Sequence, residues 1–251
     1  MQSSRDILVV EDETVVVDSV RRSLRTERLT VDLAADAAAA LAILKESEYK
    51  VVLCDLMLPG SSGFRVLEAI RREHSRTQSI VITGYATREH AIESFRLGAF
   101  DFLPKPFDVD EQLAVVTRAL RFYARAPGDE ADARAADRRH LGRHAWALVD
   151  RDGSATLGVA ETFRGTVGEI ENVRLPALEQ HIAQGETFAR IEGCDTTVHQ
   201  VRAPLSGRVI AVNQALDPAA DLVDRDPYGR GWLVRIVPEN AEKELPNLTR
   251  R

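Results

Sequence analysis

VVLCDLMLPGSSG, residues 51–63, opens with four apolar residues in an unbroken run, turns acidic at Asp55 and closes on Pro59, Gly60 and Gly63. A short continuous apolar run bounded by turn residues is the pattern of a strand covered on both faces, as in a parallel sheet packed between helices. Two further runs, ILVV at 7–10 and SIVIT at 79–83, have the same form. Between them lie stretches with helical spacing: 13–27, with Val16, Val17, Val20 and Leu24 on one face, the alanine-rich 36–48, and 63–74, with Phe64, Val66, Leu67 and Ile70. Shorter strands near 30–34 and 100–103 and helices at 87–98 and 109–124 complete five strand–helix units. The fold predicted for this half is α/β, a doubly wound parallel sheet.

In such a sheet the functional residues gather at the carboxyl ends of the strands. Glu11 and Asp12 follow the first strand, Asp55 the third, Thr83 ends the fourth, and Lys105 sits in FLPKPF (102–107) after the fifth. Three carboxylates at one end of a small sheet repel one another, and a hard divalent cation such as Mg²⁺, with oxygen ligands and retained waters, supplies the missing charge. Pro104 and Pro106 flank Lys105 and restrict its backbone. Cys54, inside the buried run, reads as a small core hydrophobe.

VVEDE (9–13), LCDLMLPGSSG (53–63), ITGYA (82–86) and LPKPF (103–107), in this order, resemble the receiver domain of two-component response regulators, and the likeness runs through residues 5–124. The resemblance implies a flavodoxin-like (βα)5 domain over 1–124 and a phosphoacceptor, Asp55, that takes a phosphoryl group from a sensor histidine kinase. It implies Mg²⁺ held by Glu11, Asp12, Asp55 and the backbone carbonyl of Met57. Thr83 and Lys105 would bind phosphoryl oxygens, and Thr83 with Phe102 would form the switch, the aromatic ring swinging inward as the threonine moves. A homodimer surface within 87–124 is also implied. Met57 and Tyr85 match positions that flank the phosphoryl site, and both are bulky and largely apolar. They are expected to obstruct the attacking water and slow dephosphorylation. The protein is expected to be a phosphoacceptor with self-catalysed steps, not an enzyme acting on a separate substrate.

At about 150 residues per domain, 251 residues suggest two domains. No apolar run approaches the 18 or so residues of a membrane span, and MQSSRDILVVEDE reaches acidic residues too soon for a secretory signal. A cytoplasmic protein without a membrane partner is expected. The two cysteines, Cys54 and Cys194, cannot build a disulfide framework, and no Cys/His cluster has zinc spacing. Residues 1–125 carry 17 basic and 19 acidic side chains, 126–143 four of each, and 144–251 12 and 16, so the regional charges are −2, 0 and −4. None has the positive balance of a nucleic-acid-binding surface.

From 125 to 143 the chain is rich in Ala, Arg and Asp and reads as a linker or an extended helix. Its basic cluster, Arg138, Arg139 and Arg143, is offset by four nearby acids. Beyond it the rhythm changes to short strands separated by turns: AWALVD, the turn RDGS, ATLGVA, GEIENVRL, TFARI, VHQVRAP, SGRVIAVN and WLVRIV, with a short helix or turn at 160–165. An all-β unit over 144–245 and a tail at 246–251 are predicted, with Trp146, Phe163, Phe188 and Trp232 as core anchors.

HAWALVDRDGSATLGVAE (144–161), GEIENVRLP (168–176), QGETFARIEG (184–193) and APLSGRVIAVNQALDPAADLVDRDPYGRGWLVRI (203–236) resemble the glycine-cleavage H-protein. That family implies an all-β lipoyl-type fold, a hybrid barrel-sandwich, with lipoate on a hairpin lysine ahead of the Ser-Gly segment. Here the lysine position falls on Asp195 or, counting back from Pro204, on Thr196. Lys45, Lys50, Lys105 and Lys243 are the only lysines, so no amine is available there for the lipoyl amide. The domain is expected to carry no lipoate. Together the resemblances lead to a response regulator whose second domain acts as an interaction module for a further protein partner. One alternative is a DNA-binding transcriptional regulator, opposed by the charge and by the lack of a recognition helix. The other is a carrier or redox protein acting through Cys194, with His199 nearby.

Overall fold

The computed structural model describes residues 5–125 and 137–250. The chain divides into two compact units, 1–124 and 125–251. Among the described residues no helix is long and apolar enough to cross a membrane.

The first unit alternates β1 (Arg5–Val10), α1 (Thr14–Thr26), β2 (Val31–Ala34), α2 (Ala37–Glu46), β3 (Tyr49–Asp55), α3 (Phe64–Glu73), β4 (Gln78–Thr83), α4 (Arg88–Arg96), β5 (Asp101–Pro104) and α5 (Val109–Ala124). Every strand pair is parallel, in the order β2-β1-β3-β4-β5. This is the flavodoxin-like order, with its switch point between β1 and β3. The apolar runs form the core: Ile7, Val9, Val51, Leu53, Ile80 and Ile82 pack with Val20 and Leu24 of α1 and Val116 and Ala119 of α5. Helix starts are capped where the sequence supplies an acceptor. Asp36 accepts the Ala39 N–H at 2.7 Å before α2, and Thr87 accepts the His90 N–H at 3.2 Å before α4. Inside the α5–β5 layer, Arg118 and Asp101 form an ion pair at 3.0 Å, with side chains 1% and 5% exposed.

The second unit is built on antiparallel strands. Its larger sheet has the order β10 (His181–Ile182), β13 (Gly207–Val212), β14 (Trp232–Pro238), β8 (Ala155–Val159), β7 (Ala145–Val149), β6 (Arg139–Leu141), β15 (Thr249–Arg250). A smaller one runs β12 (Val198–Arg202), β11 (Thr187–Gly193), β9 (Ile170–Arg174). The helices α6 (Glu161–Val167), α7 (Leu222–Arg225) and α8 (Ala241–Glu244) are short. Two sheets of this kind are the predicted barrel-sandwich.

Both expected edges of this unit need correction. Residues 139–141, assigned to the linker, form β6, and residues 249–250, assigned to the tail, form β15 and pair with it through Thr249↔His140. A strand of two or three residues carries no alternation to read, and its partner lies at the far end of the domain. Arg138 is also structural: its guanidinium lies 4.7 Å from the Trp146 ring centroid and 5.1 Å from that of Tyr228, and it donates to the Tyr228 carbonyl. Trp146 is fully buried and donates to the Pro227 carbonyl at 3.1 Å, and Phe163 and Phe188 are buried as expected. Trp232 is only half-buried, at the margin of the Trp146–Tyr228 cluster. The remainder of the predicted linker, 126–136, lies outside the described residues.

Candidate functional site

The parallel register of the first unit places its strand ends in a row. Val10 lies beside Cys54, Asp55 beside Ile82, and Thr83 beside Pro104. Whatever follows each strand therefore shares one end of the sheet. Glu11, Asp55 and Thr83 are buried there. The Lys105 ammonium lies 2.7 Å from Asp55 Oδ2, 2.8 Å from Glu11 Oε2 and 2.9 Å from Glu13 Oε1. Asp55 Oδ1 accepts the Met57 N–H at 2.9 Å, so both of its oxygens are oriented.

Burial by itself would lower the pKa of Lys105. Its hydrogen bonds to Asp55, Glu11 and Glu13 overturn that, and the ammonium is held charged. Glu11 is also shifted up, here by burial itself, and the Lys105 and Glu13 hydrogen bonds offset only part of the rise. Burial, then the Asp55 and Glu11 charges, push the Cys54 thiol up, which fits a core residue rather than a nucleophile.

One acid joins the expected set. Among the described residues, the acidic oxygens that come within 4.8 Å of one another belong to Glu11, Glu13 and Asp55. Asp12 is exposed and outside this group. Glu13 is extended (φ −76°, ψ 105°), and its N–H folds back onto Glu11 Oε1 at 3.2 Å. The Glu13 carboxylate reaches the cluster through Lys105, at 2.9 Å. The third acid of VVEDE was the signal for Glu13.

The donor set suits a hard divalent cation. When ionised, three carboxylates less one ammonium leave two negative charges around the buried Glu11 and Asp55 oxygens. The loop after β3 is built to pass close by: a Cβ on Gly63 would stand 2.0 Å from the Asp55 carbonyl oxygen, so only glycine fits. Thr83 Oγ1 accepts the Tyr85 N–H at 3.2 Å, and Phe102 is buried on β5. Met57 and Tyr85 are 51% and 63% exposed.

In the second unit the lost lysine position is a hairpin tip. β11 and β12 are joined through Gly193–Thr197, closed by Gly193 N–H to Thr197 carbonyl at 3.0 Å and Thr196 N–H to Gly193 carbonyl at 2.9 Å. Asp195 Oδ1 accepts the Thr197 N–H at 3.1 Å, and Thr196 has φ +64°. Cys194 is exposed at this tip, while His199 is buried with its ring edge-on to Phe163 at 6.5 Å. Slight desolvation and the neighbouring Glu169, Glu171 and Asp195 charges raise the Cys194 pKa, the opposite of what a reactive thiolate needs.

The family profile for the response regulator receiver domain matches residues 7–117, and that for the glycine cleavage H-protein matches 138–250. The chain belongs to both families. The glycine cleavage system H protein of Psychrobacter sp. (strain PRwf-1) is 34% identical over 104 residues, 41% of this chain and 82% of that protein. The DNA-binding transcriptional regulator NtrC of Escherichia coli (strain K12) is 33% identical over 117 residues, 47% of this chain and 25% of NtrC. Among solved structures, the receiver domain of NtrX from Brucella abortus is 37% identical, with a TM-score of 0.44 over 46% of this chain and 98% of that one. The acidic cluster with Lys105 and Thr83 thus lies in the receiver domain, and the lysine-free hairpin in the H-protein domain.

Proposed function

We propose that the chain is a two-component response regulator phosphorylated on Asp55, with the H-protein domain as a lipoate-free interaction module. The carboxylate of Asp55 attacks the phosphorus of a kinase phosphohistidine; the N–P bond breaks and the imidazole leaves with its electron pair. The observation that carries this reading is Lys105 Nζ at 2.7 Å from Asp55 Oδ2 inside a buried carboxylate cluster. Lys105 and the Thr83 hydroxyl then hold phosphoryl oxygens as charge moves onto them. Glu11, Asp12 and Asp55, with the Met57 carbonyl, would hold Mg²⁺ beside Glu13, and the ion would neutralise charge on the phosphoryl group. Response regulators switch by a shift between two receiver states, in which Thr83 and Phe102 take part here, together with self-association through 87–124.

The second domain has no amine at Asp195 or Thr196 to carry lipoate, so it acts through its surface, on a protein partner. The NtrC match covers only the receiver portion, which gives the DNA-binding reading no support from the second half. The test is intact-mass analysis of the full chain after incubation with acetyl phosphate and Mg²⁺. One phosphoryl group is expected on the wild type and none on Asp55→Asn; uptake by both proteins would overturn the assignment. The same spectrum of protein from its native host reports whether lipoate or a Cys194 adduct is present.

A further inference from the structure

Two connections border the proposed phosphoryl site: one runs from Asp55 to Phe64 at the start of α3, the other from Thr83 to Arg88 at the start of α4. One side chain touches both. His90, in the first turn of α4, has Nδ1 2.7 Å from the Tyr85 carbonyl, and its ring meets that of Phe64 edge-on, with centroids 5.8 Å apart. A carbonyl only accepts, so Nδ1 carries the proton and donates.

The β4–α4 connection is held mainly by hydrogen bonds that converge on Tyr85. Its N–H goes to Thr83 Oγ1 at 3.2 Å, and its carbonyl accepts both the Thr87 N–H at 2.9 Å and the His90 imidazole. Packing does little there: Tyr85 is exposed, and a Cβ on Gly84 would meet nothing within 4 Å. The far end is anchored, because the His90 N–H caps onto Thr87 Oγ1 and the His90 carbonyl accepts the Ser94 hydroxyl at 2.7 Å. A continuous set of bonds therefore leads from the Thr83 hydroxyl through Tyr85 to one imidazole, and through that ring to Phe64, next to the glycine that packs on the Asp55 carbonyl.

We propose that His90 is a positioning residue for the phosphoryl chemistry of Asp55: it ties the two flanking connections together and fixes where Thr83 and Tyr85 stand over the phosphoryl group. This rests on the reading of Asp55 as phosphoacceptor. Loss of the Nδ1 donor frees Tyr85, admits water and misplaces Thr83, so the phosphoryl group is lost faster.

The experiment phosphorylates the full chain with acetyl phosphate and Mg²⁺, removes the donor and follows the decay by intact mass. His90→Leu is expected to shorten the lifetime by about fivefold, the worth of one hydrogen bond. His90→Asn, whose amide N–H sits where Nδ1 does, restores the lifetime, whereas His90→Gln, which mimics Nε2, does not. This Asn/Gln contrast separates positioning from a general loss of stability, and thermal melts of all variants accompany it. Phe64→Leu moves the lifetime in the same direction as His90→Leu. If folded His90→Leu decays like the wild type, or if the Asn variant decays as fast as the Leu variant, the inference falls and the phosphoacceptor reading stands. If the wild type takes up no phosphoryl group at all, both fall.

Discussion

Among the described residues Lys105 is the one lysine that meets three carboxylates, and its place was readable because it stands between Pro104 and Pro106 at the end of the last strand of an ordered series. Glu13 was harder to read than Glu11 and Asp12. In a run of three acids only the backbone conformation before α1 decides which of them meet Lys105, and no composition rule reports it. His90 gave no local signal, since an edge-on ring contact with Phe64 joins two separate helices. At this scale Met57 and Tyr85 carry a prediction. Both are exposed, two residues beyond Asp55 and Thr83, which are proposed to carry and bind the phosphoryl group. Met57→Ala and Tyr85→Ala are each expected to shorten the phosphoryl lifetime, with the double variant shortest, as followed by intact mass. Unchanged decay in the double variant would show that neither side chain screens the site.

Among the elements, the three continuous apolar strands and five helices of the receiver were legible because each carries its own pattern, and the two shorter strands, β2 and β5, followed from their places in the alternation. The same reasoning missed β6 and β15, whose pairing is non-local and too short to impose a pattern. That pairing is testable. Truncation after Leu248 removes β15 and leaves the outer edge of β6 unpaired, and about 1–3 kcal/mol of stability is expected to be lost from the second unit, read by chemical denaturation. The link between α5 and β5 makes a second prediction. Arg118 is fully buried, and burial lowers its pKa although Asp101 opposes the shift. Asp101→Ala takes the carboxylate away from a buried guanidinium and is expected to cost about 3–5 kcal/mol, whereas replacing both members with well-packed apolar residues costs much less. A double-mutant cycle measured by urea unfolding decides it.

On the scale of the whole molecule, two families with separate chemistries share one chain, and the H-protein half keeps its hairpin while lacking the residue that gives that hairpin its use. The geometry allows a direct trial. Thr196 already accepts a left-handed backbone, which costs a β-branched residue more than a straight-chain one, so Thr196→Lys is expected to fold at least as well as the wild type. If the tip retains its presentation, a lipoate-protein ligase will modify this variant, as seen by intact mass, and will leave Asp195→Lys less modified; no modification of either means the tip has diverged beyond the lysine. The clasp of β6 and β15 has a mechanical consequence. Arg139 pairs with Arg250, so the strand that enters the domain and the one that leaves it lie antiparallel, with their outer ends side by side. Tension applied between those two points would open the pair one bond at a time, like a zipper, instead of shearing it. The H-protein domain would then yield first at its rim, at low force, while the sheet behind it stayed closed.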